Sequence, residues 1–69
     1  MLSEVILKIG DIELTHRCVT YAAALRDAYY LSHKIASNCV RIPGTDTWKI
    51  KSGDEWINSW QIDVKKEGE

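Results

Sequence analysis

From Ser3 to Cys18 apolar and polar residues alternate, and the alternation is interrupted at Gly10-Asp11. Alternation of period two marks a strand with one face against a core. Gly-Asp between two such runs marks a two-residue hairpin loop, with glycine taking the positive φ of a type II′ turn. This loop pairs Ile9 with Ile12, Lys8 with Glu13, Leu7 with Leu14, Ile6 with Thr15, Val5 with His16, and Glu4 with Arg17. One face then collects Val5, Leu7, Ile9, Ile12 and Leu14. The other holds Ile6 and Thr15 with two opposite-charge pairs, Lys8/Glu13 and Glu4/Arg17. A slip of one residue would mix the two faces, so the charge pairs serve as register evidence although each is energetically small. A single long strand bulged at Gly10 is the rival arrangement; the hairpin is favoured.

The period changes after Cys18. Thr20 can cap a helix from about Tyr21 to Ser37. Leu31, Ala24, Ile35, Ala28, Tyr21 and Leu25 fall on one stripe about 120° wide, and the two alanines let that stripe sit close to a sheet. Arg26, Tyr30, His33, Lys34 and Ser37 take the opposite side. Asn38 is the expected left-handed residue ending the helix, with Pro43 a short way beyond.

Alternation returns in the last third. Pro43-Gly44 suits a type II turn, and Val40 to Ile42 adds a short strand before it. A second hairpin turns near Ser52-Gly53-Asp54. A two-residue turn at 53–54 pairs Ile50 with Ile57 and Lys51 with Trp56. A three-residue loop at 52–54 pairs Lys51 with Glu55, Ile50 with Trp56 and Trp48 with Asn58. The second register is preferred, because it puts Trp48, Ile50, Trp56, Trp60, Ile62 and Val64 on one face. Lys49, Lys51, Ile57, Ser59, Gln61 and Asp63 then take the other. The expected fold is α+β, a single domain over 1–64 ordered β-β-α-β-β, with one amphipathic helix on a mainly antiparallel sheet. Residues 65–69 lack apolar anchors and are expected to fray.

Size and charge narrow the function. Sixty-nine residues make one domain with a thin core. The net charge of −1 is unevenly spread, the middle of the chain being basic and both ends acidic. That asymmetry falls short of the profile of a typical nucleic-acid binder. No apolar run approaches the roughly 20 residues of a membrane span. The N-terminus lacks the charge pattern of a signal peptide, so the expected location is cytoplasmic.

Cys18 and Cys39 flank the helix, and about 18 helical residues hold them roughly 27 Å apart. A disulfide needs Cα atoms within about 7 Å, so both are expected as buried thiols. His16 and Cys18 share a strand face, but Cys39 lies at the far helix end and His33 faces away. No metal site is therefore expected, and His16 is expected partly buried at the sheet margin. A nucleophile with its base, a spaced carboxylate pair and a phosphate-cradling loop are all missing from the pattern, so neither an enzyme nor a cofactor is expected.

Binding remains. Arg26, Tyr30 and Lys34 form an i, i+4, i+8 row with His33 and Tyr29 beside it, suited to an acidic partner or a phosphate backbone. Three tryptophans lie between positions 48 and 60. They supply core area, and at least one is expected partly exposed as an interface anchor. The candidate partner surface is Arg26, Tyr30, His33, Lys34, Arg41, Lys49, Lys51 and Trp56. In size and layout alone the chain resembles the small adaptor and inhibitor proteins encoded by phages and mobile elements. That resemblance implies a non-catalytic protein-interaction module acting on a larger complex. The alternatives are a nucleic-acid-binding domain using the central basic segment and a structural homo-oligomer subunit with identical subunits as partners.

Overall fold

Ile9 lies opposite Ile12, and the pairing runs without a break to Ser3 opposite Cys18, in the expected register throughout. The computed structural model describes residues 2–66. These form strands β1 (Ser3–Ile9) and β2 (Ile12–Cys18), helix α1 (Tyr21–Ile35), then strands β3 (Cys39–Arg41), β4 (Thr47–Ser52) and β5 (Glu55–Lys66). Gly10 has φ +56° while Asp11 keeps a negative φ, as a type II′ turn requires.

The strands make one sheet in the order β2-β1-β5-β4-β3, with every neighbouring pair antiparallel. Both sequence-adjacent hairpins are kept, and β5 joins them by pairing with β1 on one side and β4 on the other. The chain crosses from β2 at one edge to β3 at the other through α1, which lies on one face. Thr20 opens the helix, its Oγ1 accepting from the Ala23 N–H. Ala24 and Ala28 are fully buried and bring the helix close to Val5, Trp48, Ile62 and Val64. Leu25, Leu31, Ile35 and Tyr21 pack around this centre, as the stripe implied.

The helix ends sooner than expected, at Ile35, with Ala36 extended and donating its N–H to Ser32 O. Asn38 is not left-handed, since no described non-glycine residue has a positive φ. The chain enters β3 directly, and Asn38 instead bridges to β4: its carbonyl accepts from Lys51 N and its Nδ2 donates to Lys51 O. The turn at Pro43-Gly44 is type II, with Gly44 at φ +77° and Thr45 N–H donating to Ile42 O.

The second hairpin departs from the preferred register. Ser52 opposes Glu55, Lys51 opposes Trp56 and Ile50 opposes Ile57, so the loop is the two-residue Gly53-Asp54 turn. Gly53 has φ +61° and Asp54 a negative φ, repeating the turn chemistry of the first hairpin. A bulge between Lys49 and Ile50 then shifts the pairing to Lys49–Gln61 and Trp48–Ile62. Trp48, Ile62 and Val64 therefore reach the core as expected, but Trp56 turns to the face away from the helix and Ile57 to the helix side. Lys65 and Lys66, expected to fray, are the last residues of β5, opposite Glu4 and Ser3. The rest of that tail lies outside the described residues.

On the face away from the helix, charged and polar side chains surround Ile6. Ile6 is only 5% exposed although it lies outside the main core cluster. Around it, Arg17 pairs with Glu4 and Lys8 with Asp63, while Thr47 and Gln61 donate to the same Asp63 carboxylate. Long charged side chains cover apolar surface with their stems in this way.

Candidate interaction surface

The expected partner residues do not form one patch. Arg26, Tyr30, His33 and Lys34 stand exposed on α1. Lys49, Lys51 and Trp56 lie on the opposite side of the molecule, on the face of the sheet away from the helix. There Lys51 Nζ sits 5.1 Å above the Trp56 ring and Lys49 donates to Asn58 Oδ1. Arg41 is on the helix side of β3, stacked 5.2 Å over Trp48 and paired with Asp46. A groove of about 360 Å³ brings Arg41 together with His33, between the C-terminal half of α1 and β3, over Trp48 and Cys39. A second groove, of about 310 Å³, brings Tyr30 and Lys34 together with His16 and Asp27 between α1 and the first hairpin. The cations are thus shared among separate faces.

A different surface emerges at β2. The helix leaves the turn end of the first hairpin uncovered, so Ile12 and Leu14 are 60% and 56% exposed on the helix side of the sheet. Half-buried Ile9 and Trp60, paired with each other across β1 and β5, continue this apolar area inward. β2 is also a sheet edge, and the direction of its backbone groups follows from the pairing. Gly10 N–H donates to Ser59 O on β5. Alternation then aims the backbone of Lys8, Ile6 and Glu4 at β5, and that of Ile9, Leu7, Val5 and Ser3 at β2. Their partners Ile12, Leu14, His16 and Cys18 are satisfied by β1. Glu13, Thr15 and Arg17 point their N–H and C=O groups outward from the edge.

The edge has no proline, bulge or lysine, and it is seven residues long; Glu13 and Arg17 are its charged residues, of opposite sign. The alternating pattern had already put Ile12 and Leu14 on the apolar face. What the sequence did not show was that a single helix would leave that end of the face bare.

The thiols are not poised for nucleophilic chemistry. Cys18 and Cys39 are free and buried at opposite ends of α1. Burial pushes both thiols up, and for Cys18 a hydrogen bond to the Asp27 carboxylate pushes further the same way. A reactive cysteine needs the reverse shift. His16 is not at a buried margin: its side chain is 71% exposed, with Nε2 3.6 Å from Asp27 Oδ2.

No known protein family, curated protein or solved structure matches this chain.

Proposed function

We propose that this chain is a non-catalytic interaction module whose working surface is the β2 edge, and whose partner there is a second copy of itself. The observation that carries the reading is the edge itself. Three outward-facing backbone pairs lie on a seven-residue edge strand that also exposes Ile12 and Leu14.

The strand is self-complementary in one register. Antiparallel pairing centred on Thr15 sets Thr15 against the partner's Thr15 and Glu13 against the partner's Arg17, twice over by symmetry. Glu13, Thr15 and Arg17 are the residues with outward backbone groups, so each exchanges both hydrogen bonds with its partner. Opposite charges and paired threonines are favourable cross-strand neighbours. On the helix side, Leu14 meets the partner's His16 and Ile12 meets the partner's Cys18. The two sheets then run on as one, with both helices on the same face and the bare apolar ends of both hairpins between them. Such a two-fold contact is the commonest form of self-association.

Sedimentation equilibrium on the wild type and Thr15→Pro tests this. Proline at Thr15 deletes an N–H that points out of the edge, a place where sheets tolerate it. The wild type should sediment as a dimer, and Thr15→Pro as a monomer with an unchanged circular dichroism spectrum. A wild type that stays monomeric near millimolar concentration overturns the reading, as does a Thr15→Pro chain that still dimerises.

A further inference from the structure

Beyond the strand edge, one cluster of side chains brings metal-ligand chemistry together from two elements. His16 and Cys18 project from the same face at the end of β2. Thr20 starts the helix two residues later, and its second turn swings Asp27 back over them. Cys18 Sγ lies 3.3 Å from Asp27 Oδ2, and His16 Nε2 lies 3.6 Å from the same oxygen. All three donor atoms fall within 4.8 Å of one another.

We propose that His16, Cys18 and Asp27 form a zinc site with three protein ligands and one position open to solvent. Zinc takes sulfur at about 2.3 Å and nitrogen or oxygen at about 2.0–2.2 Å in a tetrahedron. Donor pairs around such an ion are separated by about 3.3–3.6 Å, the edge lengths those bonds imply. The two separations to Asp27 Oδ2 lie in that range, and the third pair, His16 with Cys18, lies within 4.8 Å, so binding draws those two donors together by side-chain rotation.

The donor set selects the metal. One thiolate, one imidazole and one carboxylate suit zinc, whereas calcium and magnesium want oxygen throughout. As a thiol, Cys18 donates to the Asp27 carboxylate; a bound dication would take the place of that shared proton between the two groups. Binding displaces the Cys18 proton to solvent and forms the zinc–sulfur bond.

A second observation points to the same place. Ser3 is fully buried, and its Oγ is a buried polar atom with no hydrogen-bond partner among the described residues. It stands directly opposite Cys18 in the β1–β2 register, on the same face. Residues that flank a metal's ligands commonly orient them, and Ser3 is the residue across the sheet from Cys18.

Cobalt(II) titration followed by absorption spectroscopy, with zinc competition, is the test. The folded wild type should bind one ion per chain with a near-ultraviolet sulfur-to-cobalt band, displaced by zinc. Cys18→Ser should abolish the band while Cys39→Ser keeps it. His16→Ala and Asp27→Asn should each weaken binding at least about tenfold, as loss of a ligand demands. The Thr15→Pro chain should keep one ion per chain, because every ligand comes from a single copy; this separates the site from the edge contact. Absence of the band in the folded wild type overturns the proposal. So does a band that survives Cys18→Ser, or wild-type affinity in both His16→Ala and Asp27→Asn.

Discussion

The two hairpins close on the same dipeptide, Gly10-Asp11 and Gly53-Asp54, with nearly the same glycine φ of +56° and +61°. Beyond the turns they differ. In β1–β2 the pairing is unbroken, so turn and alternation lead to one register. In β4–β5 the pairing jumps between Ile50–Ile57 and Lys49–Gln61. Sorting apolar residues onto one continuous face therefore selects a wrong loop, because it demands a single parity where the strand has two. The turn residues were the better guide: a Gly-Asp pair that makes a type II′ turn in one hairpin makes it again in the other. The hairpins also differ in what covers them. The regular one has the bare face, and the bulged one carries Trp48 into the core.

That contrast predicts very unequal responses to truncation. Trp48→Ala should cost about 3–5 kcal/mol, a large share of the stability of a domain this small, so cooperative thermal unfolding should be lost. Leu14→Ala, on the uncovered hairpin, should leave the stability of the Thr15→Pro monomer within about 0.5 kcal/mol. Equal losses at the two positions would mean that α1 covers both ends of the sheet.

The turns should respond alike where the faces do not. A Cβ at Gly10 or Gly53 meets nothing within 4 Å, so the cost of alanine is backbone strain alone. Gly10→Ala and Gly53→Ala should each lower stability by about 1–3 kcal/mol, read from urea midpoints. A neutral Gly53→Ala would restore the three-residue loop.

A smaller effect is a dependence on pH, to which the Cys18 thiol, also raised, contributes with the same sign. Burial pushes the Cys39 thiol above its ordinary 9.0, and Tyr21, donating to the Asp46 carboxylate, is pushed above 10.0. The folded state holds these protons more tightly than the unfolded chain. Their stabilisation is therefore complete below the unfolded values and is lost as pH rises through the raised ones. The urea midpoint should fall on the alkaline side of those ordinary values and fall less in Cys39→Ala; an equal fall in that variant would remove Cys39 as a cause.

Local rules made much of the fold legible. The II′ turn, the first register, the Thr20 cap and the α1 stripe all depend on neighbours in sequence. The bulge at Lys49–Ile50 was not legible, because it depends on β5 pairing with β1 and β4 at once. Asn38 was misread for a similar reason: it looks like a helix terminator, yet its partners are on β4. Charge on the helix and the later strands marks one candidate surface in the sequence, whereas the bare face at Ile12 and Leu14 depends on how far a single helix reaches across the sheet. Asp27 escaped notice as a companion of His16 and Cys18 because its approach requires the helix to fold back over β2.

The central claim is that β2 pairs with a second β2 about Thr15, and its charges allow a direct test by native mass spectrometry. Glu13→Arg faces each Arg17 with arginine, and Arg17→Glu faces each Glu13 with glutamate, so each variant alone should be monomeric. Mixed, the two should form a heterodimer, because every cross-strand contact then joins opposite charges. Two variants that dimerise alone, or a mixture that stays monomeric, would contradict this register.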